Sequence, residues 1–456
     1  MERIKLFFLA CASLTGTLFL QAQGVDIDKV KAAHPTTAAD RAIRNALSHS
    51  GINMLAENPE NEDLNDVWFS NEVPSKGITD QKQSGRCWLF TGLNVMRAKM
   101  IKEHDLGNFQ FSQSFCWFYD QLEKSNLFLQ AIIDRGNLPM SDRTVEWLFK
   151  NPIGDGGTFC GVQDVVMKYG VVPAEIMPES YNANNTSKLS RLIGLKLREY
   201  GLELRKMVQE KKSKNAIEKR KIEMLGTVYH MLAMTLGEPP TQFTWTKKDK
   251  DGKPVEKKTY TPKEFYNEYV GIDLKNEYVM VMNDPLRPYH KLYTIDLSRH
   301  SYDGEQWTYL NLPMEEIKPL AIASIKDSTM MYFSCDVGKF LNRDTGILST
   351  KNYDYESLFG TTFPMTKKER IETFASGSSH AMTLMAVDLD ENGKPTKWKV
   401  ENSWGNRGVN GHLVMTDEWF DEYMFRLVVS KKYVPEELLK EFDQKPVVLP
   451  AWDPMS

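Results

Sequence analysis

Apolar residues recur at helical spacing through the front of the chain and gather into short extended runs toward its end. After the turn-forming pair Ser84-Gly85, residues Leu89, Leu93, Met96 and Met100 fall at three- and four-residue intervals. The spacing predicts a helix over 87–104 with Cys87 at its start. Further helices are predicted over about 112–134 and 163–169. Residues 188–236 contain no Pro and few Gly, and mix charge with Leu, Ile and Met at helical spacing. They read as two or more long helices. Residues 247–258, around Asp251-Gly252, read as a charged hairpin or loop.

Beyond residue 275 the pattern changes to strand-like runs at 278–282, 291–296 and 330–335, separated by Asp, Gly and Pro. Residues 381–387 and 397–401 flank the turn Glu391-Asn392-Gly393-Lys394 and read as a hairpin. Helices in front and antiparallel strands behind argue for an α+β fold, not alternating β-α units. Residues 24–72 are polar and irregular, with helical promise at 38–48, and read as an arm packed on the body.

The first residues carry Arg3 and Lys5, then a mostly apolar run over 6–20 and Gln21-Ala22-Gln23-Gly24. That is the layout of a secretory signal peptide over 1–23, with a run too short for a bilayer span of about 20 residues. Export is expected, to the periplasm or outside, with a membrane anchor as the alternative. No later stretch is apolar and long enough to span. Lys plus Arg (57) against Asp plus Glu (61) gives a net charge of −4, so no overall field draws the protein to nucleic acid. The basic cluster Lys206, Lys211, Lys212, Lys214, Lys219, Arg220 and Lys221 is interleaved with Glu203, Glu210, Glu218 and Glu223. It reads as a solvated helix face, and nucleic acid is not an expected partner.

Without the leader four cysteines remain: Cys87, Cys116, Cys160 and Cys335. If Cys87 is a free thiol the other three cannot all pair, so they read as small buried apolar residues. No Cys-x-x-Cys or His-x-x-x-His spacing suggests a metal, and no cofactor is expected. Of the eight histidines, His380 suits catalysis: it follows the flexible Ser376-Gly377-Ser378-Ser379 and opens a strand. Reflected through the Asn392-Gly393 turn without bulges, it falls about three residues from Asn402. A cysteine at a helix start feels the positive end of the helix dipole, which favours thiolate. A histidine beside it takes and returns the proton, and a third group fixes that histidine. Trp404 would shield the histidine's hydrogen bond from water.

Gln81-Lys82-Gln83-Ser84-Gly85-Arg86-Cys87-Trp88, then His380-Ala381, then Glu401-Asn402-Ser403-Trp404-Gly405 resemble the three active-site blocks of the papain superfamily. The resemblance implies Cys87 as nucleophile, His380 as general base, Asn402 as its orienting partner and Gln81 in the oxyanion hole. Papain-type enzymes place the histidine about 130 to 150 residues after the cysteine; here residues 87 and 380 stand 293 apart. A domain-sized insertion is expected, and the chain is more closely similar to the bleomycin hydrolase and aminopeptidase C branch. Phe111-Ser112-Gln113-Ser114, Asp155-Gly156-Gly157, Pro178-Glu179-Ser180-Tyr181, Asn283-Asp284-Pro285, Cys335-Asp336-Val337-Gly338-Lys339 and 449–455 carry that resemblance.

The expected plan is therefore a leader (1–23), an arm (24–72), a papain-like helical part (73–180), a helical insertion (181–275), a papain-like β part (276–445) and a C-terminal arm (446–456) in the cleft. Gly156 and Gly157 are expected to form a substrate-backbone wall, and Ser456 to meet the substrate's amino end. The implied activity is cysteine aminopeptidase action on peptides through a thioester acyl-enzyme, with a papain-like endopeptidase or a silent binding protein of the same fold as alternatives. The resemblance also implies a homohexamer.

Overall fold

The computed structural model describes residues 24–61 and 66–455, so the expected leader and Ser456 lie outside the described residues. The helix Cys87–His104 is buried nearly all round by Trp88, Leu89, Phe90, Leu93, Met96 and Met100. A helix enclosed on every side is apolar on every side, which suits the centre of a large domain. Gln113–Asp134 and Phe159–Tyr169 pack beside it, the former capped by Ser112, whose side chain accepts from the Phe115 N–H. Cys116 and Cys160 are buried among these helices as free thiols.

The insertion begins with two long helices, Ser187–Gln209 and Lys214–Leu236, antiparallel and packed on Gln113–Asp134. Their contact faces carry Leu189, Ile193, Leu197 and Leu204 on one and Ile217, Met224, Val228 and Leu232 on the other. Of the basic cluster, Arg220 bonds Glu203 and Glu223 on the polar side, whereas Lys221 is buried and donates to Gln130 at 2.8 Å while pairing with Glu218. The insertion is not helical throughout. Phe243–Lys248 and Pro254–Tyr260 pair antiparallel as the expected hairpin, extended beyond its charged middle by Phe243, Trp245 and Tyr260, which bury their rings against Phe265.

The back of the chain forms one long sheet. Its central order is Tyr278–Met282, Met424–Ser430, Met331–Cys335, His380–Leu389, Pro395–Glu401 and His412–Thr416, with every one of these neighbours antiparallel. Both faces of the middle strands are apolar because helices cover one side and Trp398, Trp419 and Phe420 fill the other. In the N-terminal stretch Asn71–Glu72 pairs with His380–Leu389, and Glu57 bridges to Tyr353. The C-terminal arm starts as an edge strand, Val447–Leu449 running parallel to Lys291–Ile295, and is not merely extended by its prolines. No helix among the described residues is long and apolar enough to cross a membrane.

The helical layer and the sheet meet at a seam. There Asp80 bridges Trp404, and the Gln81 N–H donates to the Ser403 carbonyl at 2.8 Å. This places the segment before Cys87 directly against the segment after Glu401.

Candidate active site

The helix carrying Cys87 has Arg86 at its N-cap and no side-chain cap, so its first N–H groups are left for whatever enters the cleft. Arg86 is fully buried and pinned by Glu179 at 2.7 and 3.1 Å, while Ser114 donates to the same carboxylate at 2.9 Å. Two segments singled out by resemblance, around Ser114 and Glu179, thus act together to hold the approach to Cys87.

His380 and Asn402 share one face of the sheet. Thr383 pairs with Glu401 and Leu384 with Val400, a register shift follows before Ala386 meets Lys399, and a second lies between Asp388–Lys397 and Leu389–Pro395. The two shifts cancel, so the register at the loop end is also the register beside His380, which falls two residues from Asn402 and not the three expected by reflection through Asn392-Gly393. An even offset keeps side chains on the same face. The imidazole Nε2 and Asn402 Oδ1 are 2.8 Å apart, and the Ser403 N–H donates to the same oxygen at 2.8 Å. An oxygen already accepting from a backbone N–H is fixed as acceptor, so Nε2 carries the hydrogen and Nδ1 is left with its lone pair. Trp404 stacks on the imidazole, ring centres 4.7 Å apart at 29°. His380 and Asn402 are 6% and 1% exposed, so their bond is sheltered from water as expected.

Cys87 and His380 line one cavity of ≈ 710 Å³ together with Gln81, Gly156, Gly157 and Trp404. Burial pushes the Cys87 thiol up, and the N–H groups of Ala381, Trp88 and Cys87 work against that without reversing it. Burial likewise pushes the His380 imidazole down, to about 4, against the raising effect of Asn402. Burial thus opposes the thiolate that the helix start favours, and the histidine is needed to complete the activation. The sulfur becomes charged by passing its proton to the imidazole, so that two opposite charges form side by side where water is scarce and their attraction is strong.

Gln81 is held at both ends of its amide. Its Oε1 accepts from the Ser403 hydroxyl at 2.6 Å, and its Nε2 donates one hydrogen to the Ser84 carbonyl at 2.6 Å. The second Nε2 hydrogen remains to join the Cys87 N–H in binding an oxyanion.

A protein-family model described as the peptidase C1-like family matches residues 23–456. Aminopeptidase C of Lactobacillus delbrueckii subsp. lactis is 40% identical over 417 residues, covering 90% of this chain and 92% of that protein. Human bleomycin hydrolase is 40% identical over 399 residues, covering 85% and 88% respectively. The crystal structure of PepW from Lactobacillus rhamnosis HN001 superposes with a TM-score of 0.91 at 39% identity, covering 95% of this chain and 99% of that one. The chain belongs to the peptidase C1-like family. The papain-like α+β fold expected from its sequence is the fold it has.

In this C1-like chain the wall at Gly156-Gly157 is backed by side chains that the sequence did not flag. Lys124 donates to the Gly156 carbonyl at 2.6 Å and the Gly154 carbonyl at 3.2 Å, and pairs with Asp120 at 2.9 Å. Asp120 also meets His300 Nδ1 at 2.5 Å, and His300 packs edge-on to Trp88. Burial works to raise the Asp120 carboxyl, but Lys124 and His300 outweigh it and hold it below the ordinary range, while burial pushes the His300 imidazole down. A Cβ on Gly157 would lie 2.2 Å from His300 and 2.8 Å from Trp88; one on Gly156 would meet nothing within 4 Å. Gly157 is glycine because of what lies beneath the wall, whereas Gly156 faces open space. The Asp155 carboxylate accepts from the Gly85 N–H at 2.7 Å and from Thr186, and its carbonyl accepts from Trp88 Nε1 at 2.8 Å. That carboxylate stood in the sequence beside the glycines, but only its distance to Gly85 shows that it fixes the Cys87 loop.

The C-terminal arm reaches the same cavity. Ala451 lines it, Asp453 pairs with Arg287, and Met455 is buried with its carbonyl accepting from Arg426 Nη2 at 2.7 Å. Trp452 is half-buried, and its ring is covered by Arg143 at 4.1 Å.

Proposed function

We propose that this chain removes residues from the free amino ends of peptides through a thioester acyl-enzyme on Cys87. It is a cysteine aminopeptidase, kin to aminopeptidase C and bleomycin hydrolase over most of its length. The observation that carries the reading is the hydrogen-bonded pair His380–Asn402 in the cavity of Cys87, with the C-terminal arm against one end of that cavity. Cys87 Sγ attacks the scissile carbonyl carbon as its proton passes to His380 Nδ1. The oxyanion is held by Gln81 Nε2 and the Cys87 N–H. Collapse breaks the C–N bond, and His380 gives its proton to the leaving amine. Water, deprotonated by the same imidazole, then hydrolyses the thioester.

The arm, which reaches the cavity at Ala451, limits the acyl side of the cleft so that a residue with a free amine is favoured there. A mixed peptide library tests this directly: single residues released from amino ends support it, and internal cuts favour the endopeptidase alternative. We propose export on the leader read in the sequence alone; cell fractionation showing the whole uncleaved chain in the cytoplasm would refute it. Homohexameric assembly is supported by the apolar side chains exposed on the insertion, among them Leu195, Leu202, Ile222 and Met234. Light scattering is expected to give about six times 52.4 kDa, less the leader.

A further inference from the structure

A second cavity of ≈ 670 Å³ adjoins Trp404, lined by Asp80, Lys82, Trp404, Arg343 and Arg407 among others. The two cavities share Trp404. Because His380 protonates the departing nitrogen, the leaving segment must lie on the imidazole's side of the scissile bond, and Trp404 covers that ring. The arm closes the opposite end. A peptide's leaving half therefore runs across Trp404 into the second cavity.

The charges there do not cancel. Lys82 is neutralised by Asp80 at 2.6 Å. Arg343 and Arg407 have no carboxylate at ion-pair distance among the described residues, and Arg343 stands over the Trp404 ring at 5.8 Å. Their loops are locked to each other: a Cβ on Gly346 would lie 2.6 Å from Gly408 Cα, and both glycines have positive φ, 75° and 72°. Only residues lacking Cβ allow that approach, so both guanidinium groups are presented from a rigid seam.

We propose that this cavity seats the leaving segment and that Arg343 and Arg407 select segments bearing a carboxylate, from an acidic side chain or a peptide's own terminus. The inference rests on the aminopeptidase reading above. Guanidinium groups pair with carboxylates in a planar, two-bond geometry, and here they find none among the described residues. Both arginines are exposed, so the selection is moderate and weakens with salt.

The test uses the full mature chain and tripeptides with one fixed, well-cleaved first residue. One pair ends Ala-Glu-amide or Ala-Gln-amide; the other ends Ala-Ala as free acid or amide. At low ionic strength the carboxylate member of one or both pairs is expected to show about fivefold higher kcat/KM, and the responding pair identifies the source. In the double variant Arg343→Gln, Arg407→Gln the ratio within each pair is expected to approach one. Because each ratio is taken within one enzyme, a general loss of activity cancels. Ratios near one in the wild type, or ratios unchanged in the variant, would overturn the proposal. Failure of the wild type to hydrolyse any amino-acid arylamide, whose leaving group carries no carboxylate, would instead overturn the aminopeptidase reading and this proposal with it.

Discussion

The Ser403 hydroxyl donates to Gln81 Oε1 at 2.6 Å, tying the oxyanion-hole amide to the residue that follows Asn402. The same Ser403 gives its backbone N–H to Asn402 Oδ1 at 2.8 Å. One residue therefore sets the orientation of both amides, and with them the tautomer of His380 and the direction of the oxyanion donor. An amide held at one end only is free to rotate, and preorganised donors lose value when they must reorient during reaction.

Replacing Ser403 by Ala is expected to lower kcat about tenfold with little change in KM, because the Gln81 donor acts mainly on the transition state. Gln81→Ala removes the donor itself and is expected to cost about 10²–10³ in kcat. Single-turnover kinetics on an amino-acid arylamide checks both. A Ser403→Ala enzyme with wild-type kcat would show that the hydroxyl has no part in aiming the amide.

Cys87→Ala is expected to abolish turnover while leaving fold and assembly unchanged, since it removes the nucleophile and opens little space. That variant also isolates the imidazole. With no thiolate beside it, His380 is expected to titrate at about 4 in the folded protein, pushed down by burial, against about 6.5 unfolded. A depressed folded value means stability is fully present above pH 6.5 and is lost as pH falls toward 4, by up to roughly 3 kcal/mol. The pH dependence of the difference in unfolding free energy between Cys87→Ala and Cys87→Ala, His380→Gln should be confined to that window. An NMR titration placing His380 near 6.5 in Cys87→Ala would contradict the burial argument.

The fold and the catalytic groups were legible where the signal is local. The spacing of Leu89, Leu93, Met96 and Met100 places the central helix, and the Asn392-Gly393 turn places the catalytic hairpin. The two register shifts, at Leu384/Ala386 and at Asp388/Leu389, were not legible, since nothing local in the strand marks which residue is left unpaired, and the offset between His380 and Asn402 depends on how they cancel. The burial of Cys87 was not legible for a related reason. A helix start is visible in sequence; the cavity wall around the sulfur includes Tyr332 and Ala381, which arrive from hundreds of residues away. Nor does any local pattern join Asp120 to His300 across 180 positions.

The network under the glycine wall separates two roles that the sequence merged. Gly157→Ala drives a methyl group into His300 and Trp88 and is expected to destabilise the protein by about 1–3 kcal/mol. Gly156→Ala meets open space and is expected to change stability by less than about 0.5 kcal/mol, while raising KM because the methyl projects into the cleft. Denaturant unfolding and steady-state kinetics on the same two variants distinguish them. Equal loss of stability in both would mean that the wall is not supported from beneath as described.

The arm offers a prediction about specificity. Its approach to the cavity is fixed at three points: the parallel pairing of Val447–Leu449, the Arg287–Asp453 ion pair and the Arg426 bond to the Met455 carbonyl. Removing residues 452–456 deletes the last two and leaves the first, so the arm should stay attached to the sheet edge while its end leaves the cleft. The truncated enzyme is expected to accept amino-terminally acetylated peptides and to make internal cuts, both of which the intact chain should refuse. Asp453→Asn weakens only the ion pair, since Arg287 keeps Asp284 as a partner, and should move specificity a smaller step in the same direction. Arylamide hydrolysis should survive in the truncated enzyme, because Cys87, His380, Asn402 and Gln81 make no hydrogen bond to residues 452–456 among the described contacts. A truncated enzyme that keeps its arylamide activity and still refuses acetylated peptides would show that the demand for a free amine comes from another part of the cleft.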